Sequence, residues 1–178
     1  MTETVILYRS KYGATRRYAQ WLQEALGCAL LENKNLRAAQ LAPYRTVILG
    51  GGVYAGGIAG LDLLRKNWPA LQGKCLRIFA VGASPYDEKA LRALQPKAPL
   101  EEVPLFYLRG AWDPAAMSWG DRTLCGFLQK AVAKQDPAQD EPWMAALREA
   151  GNAPCDWTDR AALAPLLASL PEGPLGPG

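Results

Sequence analysis

Short apolar bursts alternate along the chain with stretches whose apolar residues recur every three or four positions. The bursts at 4–9, 28–31, 46–49, 75–81 and 103–108 are rich in β-branched residues and are bounded by turn-forming ones, which predicts five strands. Between them the period lengthens. Residues 15–26 place Tyr18, Ala19, Trp21, Leu22, Ala25 and Leu26 on one side of a helix that Gly27 ends. A short helical turn follows at 36–41. A helix at 58–68 carries Leu61, Leu64 and Trp68 and closes at Pro69, and another runs from an Asp87 cap towards Leu94. Strands alternating with helices predict an α/β fold, a doubly wound sandwich with a five-stranded parallel sheet and helices on both faces.

Beyond residue 108 the alternation weakens. Helical periodicity returns near 122–134 and 142–150, and Asp156 or Thr158 is placed to cap a last helix at 159–170, with Pro165 inside it. The pattern predicts a single domain over 1–170 with a helical insertion around 110–151. The ending "PEGPLGPG", within 171–178, has the composition of a flexible tail.

Composition narrows the chemistry. At 178 residues and 49% hydrophobic, the chain can bury one sizeable core. A net charge of +3 comes from scattered basic residues with only two adjacent pairs, Arg16-Arg17 and Arg65-Lys66, which is no nucleic-acid footprint. There is no histidine, so Ser-His and Cys-His catalysis are excluded; the four cysteines are dispersed, with no C-x-x-C pair and no metal-ligand spacing. Reduced cysteines, no leader-like opening and no apolar run of membrane-spanning length predict a cytoplasmic protein.

In a doubly wound sheet, ligands sit beyond the carboxyl ends of the strands at the topological switch point. Three stretches fall there. The first, "SKYGAT" at 10–15, lies between strand and helix; the amides of a helix's first turn and its dipole favour an anion, Ser10 and Thr15 add hydroxyls, and Gly13 allows close approach. A helix start capped for stability alone has the same signature. The stretch lacks G-x-x-x-x-G-K-[ST], so it is not a nucleoside-triphosphate loop. The second, Gly50 to Gly57, formally fits G-x-G-x-x-A but follows the third strand and has no acidic residue about 20 positions on, which argues against a dinucleotide. Its small residues beside Tyr54 suit a flat ring, whose edge backbone amides reach while the aromatic stacks on its face. A surface aromatic in an ordinary turn reads the same way. The third, Gly82-Ala83-Ser84-Pro85, again follows a buried strand with small residues.

Together these stretches resemble the flavodoxin family. "SKYGAT" is similar to that family's phosphate loop at Ser10, Gly13 and Thr15, with Tyr12 replacing a hydroxyl residue; "VILGGGVY" and "FAVGASPY" resemble its two ring-binding stretches, with Pro85 where many relatives carry an acid. The resemblance covers about 5–110. It implies a flavodoxin-like fold and FMN as cofactor. Ser10, Lys11, Tyr12, Gly13, Ala14 and Thr15 would hold the phosphate; Gly51, Gly52, Val53, Tyr54, Ala55 and Gly56 with Gly82, Ala83 and Ser84 would meet the ring. Electron transfer through the flavin then needs no catalytic side chain, and the partner is a redox protein or a quinone. A looser likeness, in "GAWDPAAMSWGDRTLCGFLQKAVAK" and "DWTDRAAL", is to the menaquinone-dependent protoporphyrinogen oxidase branch. It implies an FMN-dependent oxidoreductase whose 109–134 segment meets a porphyrin or makes a peripheral membrane contact, Trp112, Met117 and Trp119 supplying apolar contacts and Arg109, Arg122 and Lys130 attracting carboxylates or anionic lipid; packing over the open edge of the sheet accounts for the same aromatics and is the favoured reading of them. Family carriers tend to be acidic around the flavin, so the basic balance here leans towards the enzyme. A cofactor-free interaction module on the same scaffold is the non-redox alternative.

Overall fold

The computed structural model describes residues 3–172, and the expected tail lies outside the described residues from position 173 onward. In chain order the elements are β1 (Thr4–Arg9), α1 (Ala14–Leu26), β2 (Ala29–Glu32), α2 (Ala38–Leu41), β3 (Thr46–Tyr54), β4 (Gly57–Ile58), α3 (Leu61–Lys66), α4 (Trp68–Leu71), β5 (Cys75–Gly82), α5 (Glu88–Leu94) and β6 (Leu105–Arg109). After them come β7 (Ala111–Trp112), α6 (Trp119–Ala133), α7 (Pro142–Ala150), β8 (Cys155–Asp156) and α8 (Ala164–Ala168). The strands β2-β1-β3-β5-β6 lie side by side in that order, all parallel, so the predicted five-stranded parallel sheet is observed. The order reverses direction between β1 and β3, where the chain first winds one way and then the other.

Side-chain alternation builds the two cores. Along β1 and β3, Val5, Leu7, Val47 and Leu49 face one layer with Leu41, Leu61, Leu64, Leu71 and Ile78; Ile6 and Ile48 face the other with Tyr18, Leu22, Phe79, Leu108 and Leu166. Both faces of the central strands are therefore apolar, which is why they read as continuous hydrophobic runs. α1 and α8 cover the second face, α3 and α4 the first.

The largest departure from expectation concerns β3. The strand was expected to end at Leu49, but it continues through the glycines to Tyr54, with Gly50 and Gly51 paired to Tyr8 and Arg9 on one side and Gly50, Gly51 and Gly52 to Phe79, Ala80 and Val81 on the other. The glycines serve tertiary packing: a Cβ at Gly50 would fall inside the Phe79 ring, and one at Gly51 would overlap the Ala59 carbonyl. Tyr54 then turns through Ala55 (φ 50°) and Gly56 (φ 75°) into β4, which pairs back on β3 through Val53 and Ile58. Two consecutive positive φ values are the geometry of a tight hairpin.

Other differences are local. The helix expected at 58–68 is two short ones, and Pro69 sits in the first turn of α4, where its missing N–H costs nothing, rather than ending its predecessor. The final helix is a 3₁₀ turn at Arg160–Leu163 leading into α8, and its cap is neither Asp156 nor Thr158 but Asp159, whose carboxylate accepts from the Ala161 amide at 2.9 Å. Asp87 caps α5 as expected, accepting from the Ala90 amide at 2.7 Å. In the insertion, β7 and β8 form a separate antiparallel ribbon, and α6 and α7 pack with Trp112 around Val132, Leu147 and Ala150.

Gly50→Ala drives a methyl into the Phe79 ring, and urea unfolding is expected to show a loss of about 1–3 kcal/mol, the usual cost of overpacking a core.

Candidate functional site

The carboxyl ends of β1, β3 and β5 carry the three stretches singled out by sequence, and the parallel pairing brings them to one edge of the sheet. In the first, Gly13 takes a left-handed conformation (φ 98°) and opens α1, and its amide donates to Ser10 Oγ at 3.0 Å. Ser10 thus folds the loop back on itself. No side chain caps α1, so the first-turn amides beyond Gly13 keep their capacity for an external acceptor. Ala14 starts the helix against Gly110, and Thr15 is buried beneath it.

In the second stretch Gly52 differs from the two glycines before it. Nothing lies closer than 3.8 Å to where its Cβ would be, and the neighbours bounding that space are Thr15 Oγ1 at 3.8 Å and the Val81 carbonyl oxygen at 4.0 Å. The space lies at the junction of the first and second stretches, beside the end of β5. Val53 is tied into the hairpin, Tyr54 is 57% exposed beyond it, and Ala55 and Gly56 form the turn.

The third stretch is held from below by β6. Tyr107 packs where a Cβ of Gly82 would be and donates its hydroxyl to the Ser84 carbonyl at 2.6 Å; burial pushes its pKa up to about 12, so it remains a donor through the neutral range. Arg109 donates from Nε to the Ala83 carbonyl at 3.0 Å, stacks over the Trp157 ring at 4.0 Å and pairs with Glu149 at 3.0 Å. With both carbonyls engaged, the loop's shape is fixed by residues outside it.

A fourth component comes from the insertion. Asp121 of α6 is only 9% exposed, and Lys11 Nζ and the Tyr12 hydroxyl both donate to its Oδ2 while the Tyr54 hydroxyl donates to Oδ1 at 3.2 Å. Lys11 lies over both tyrosine rings, 5.5 and 5.3 Å from their centroids. Its hydrogen bond, followed by that of Tyr12, holds the Asp121 carboxyl well below the usual range, at about 2; the same contact raises the Lys11 pKa. One carboxylate therefore joins the first stretch, the second stretch and α6. Sequence reasoning missed it, since its partners lie 110, 109 and 67 positions away. The local signal was the S-W-G-D run, in which Ser118 Oγ accepts from the Asp121 amide at 3.3 Å and starts the helix. Of the other basic residues near the first stretch, Arg17 pairs with Asp156 at 2.5 Å and bonds Thr158 at 2.9 Å. Trp112 packs inward, as the packing account of the 109–134 aromatics has it, and Arg122, named there as an attractor of anions, bonds to the chain itself. Trp112 is buried, and the Arg122 guanidinium donates to the carbonyls of Pro114, Ala115 and Met117. Among the described residues no group of three or more Cys, Asp or Glu could hold a metal.

Comparison with known families decides the affiliation. The family model described as "Flavodoxin domain" matches residues 5–139. The chain belongs to the flavodoxin domain family. No curated protein matches the sequence. Among solved structures, this flavodoxin-domain chain is similar to oxidised Flavodoxin 2 from Bacillus cereus (19% identity, 82% of this chain and 97% of that one, TM-score 0.42). It is also similar to a WrbA-like flavodoxin from Agrobacterium tumefaciens (23% identity, 67% and 87%, TM-score 0.42). The rubredoxin oxygen:oxidoreductase of Desulfovibrio gigas matches at 19% identity over 60% of this chain (TM-score 0.45), and the chain spans only 29% of that protein.

Asp121 has a lower pKa in the folded chain than in the unfolded one, so the stability it adds is fully present above about pH 4, the unfolded value. That contribution is lost as pH falls through about 2. Asp121→Asn removes the charge at every pH. At pH 7 hydrogen exchange should quicken in the amides of α6 and of 10–13 while those of β1, β3 and β5 keep their protection.

Proposed function

We propose that the chain binds FMN at this edge and transfers electrons through it. The observation that carries the reading is the space at Gly52. It is the one glycine of the run whose missing side chain nothing else fills, and it opens between the buried Thr15 hydroxyl, next to the uncapped start of α1, and the end of β5. A phosphate at 10–15 and a flat ring between the second and third stretches fit a site with that division, and membership of the flavodoxin domain family supports the same assignment. The bound flavin would supply the redox chemistry.

The chain's own residues do the rest. Gly13 turns the backbone so that the first amides of α1 face outward, and the helix start adds its positive potential. Thr15, buried beside Gly52, offers its hydroxyl to the same region. Tyr54 supplies an aromatic face whose tilt is set by its bond to Asp121, and Lys11 keeps a positive charge above it. Tyr107 and Arg109 occupy the carbonyls of the third stretch, which leaves the amides of Ala83 and Ser84 for a ring edge. No residue is required to transfer a proton.

Titrating FMN into the protein and following quenching of flavin fluorescence tests this. Binding with a micromolar or lower dissociation constant is expected, together with a thermal upshift. Gly52→Val should weaken FMN at least about tenfold, because its methyls enter the space at the site, while unfolding stability stays within about 1 kcal/mol of the parent. Absence of quenching in the parent protein would favour the cofactor-free interaction module.

A further inference from the structure

Among the described residues, every hydrogen bond that ties α6 to the site loops passes through Asp121 or through the helix's N-cap. Lys11 Nζ and the Tyr12 hydroxyl donate to Oδ2 of Asp121, the Tyr54 hydroxyl donates to Oδ1, and the amide of the N-cap Ser118 donates to the Tyr12 hydroxyl. The long polar side chains of the helix bond within the insertion instead: Arg122 reaches the carbonyls of Pro114, Ala115 and Met117, and Gln129 that of Gly151. Two of the three donors to Asp121 belong to 10–15. The anion-holding groups of that stretch are therefore divided. No side chain caps the first-turn amides of α1, whereas the ammonium and the phenol of the stretch are both engaged by a carboxylate.

We infer that Asp121 competes with the FMN phosphate for Lys11 and Tyr12, so that loading of the flavin draws the first stretch away from α6; this rests on the flavin reading proposed above. Lys11 is able to exchange partners. Its side chain is 56% exposed, and an ammonium on a flexible four-carbon stem is a point charge that accepts a new anion without a fixed geometry. A phosphate monoester carries up to two negative charges against one on the carboxylate, so it attracts the ammonium more strongly, and the two anions repel each other when both approach it. Protonation does not relieve that repulsion at neutral pH. With Lys11 and Tyr12 bound the Asp121 carboxyl titrates at about 2, and without them the ordinary carboxylate range still ends well below 7. The Tyr54 hydroxyl uses the other oxygen, Oδ1, so the aromatic face of the second stretch keeps its support when Oδ2 loses its donors.

Titrating FMN and riboflavin into the parent protein and into Asp121→Asn at low salt tests the competition. Asp121→Asn should tighten FMN at least about fivefold and leave riboflavin no tighter, since riboflavin has no phosphate to pair with the released ammonium. Salt should shrink the gain, Asp121→Glu should return the ratio of the two affinities to near the parent's, and Lys11→Met should remove most of the gain from the double variant. Hydrogen exchange of the parent gives a readout that needs no variant: adding FMN should quicken the amides of 121–126 at least about threefold while those of 13–17 slow. An FMN-to-riboflavin ratio that is unchanged or lower in Asp121→Asn, or slower exchange at 121–126 on adding FMN, would overturn the competition and leave the flavin reading standing. A parent that binds both compounds equally, or neither, would overturn the phosphate assignment and the competition with it.

Discussion

The register of β3 between β1 and β5 sets the position of everything at the site edge. Gly50 lies opposite Phe79, whose ring fills the volume of the absent side chain, and Gly51 accepts the Ala59 backbone against its other face. Because both glycines are consumed by packing, β3 stays in the sheet until Gly52, and only there does an open space begin. A strand ending at Leu49 would have moved the hairpin, Tyr54 and the edge of the site inward by several residues. The parallel ladder transmits the same register to the starts of the first and third stretches, since Arg9 pairs with Gly51 and Val81 with Gly52.

Asp121 adds a second constraint of a different kind. It takes three donors from two loops, so the closed arrangement depends on a charge that α6 carries and the sheet does not. Tyr12 gains an explanation from this. It departs from the hydroxyl-rich pattern of the flavodoxin family's phosphate loop, but its own hydroxyl is bound to Asp121, with the Ser118 amide donating to it at 3.4 Å. In this chain the insertion and the first stretch form one unit.

Much of the fold was legible. β-branched runs located the strands because the central ones are buried on both faces, and Gly27 and Asp87 marked helix ends through local backbone chemistry that needs no tertiary partner. Reading failed where long-range contacts outweighed local preference. The glycines of β3 read as a loop because their strand conformation depends on Phe79 and Ala59, which the local pattern does not reveal. Trp112 and Trp119 looked alike in sequence, yet one fills a core and the other projects into solvent, since the short ribbon with β8 turns Trp112 inward. Asp121 had no periodic signal at all; its significance lies in partners distant in sequence.

We propose that 10–15 receives a phosphate and that the remaining stretches receive the ring attached to it. Calorimetric titration with FMN and with riboflavin, which carries the same ring without the phosphate, addresses it directly. Two or more charge-assisted bonds to the phosphate predict that FMN binds at least about 100-fold more tightly than riboflavin. Equal affinities for the two, or preference for riboflavin, would contradict the assignment of 10–15 as the phosphate site.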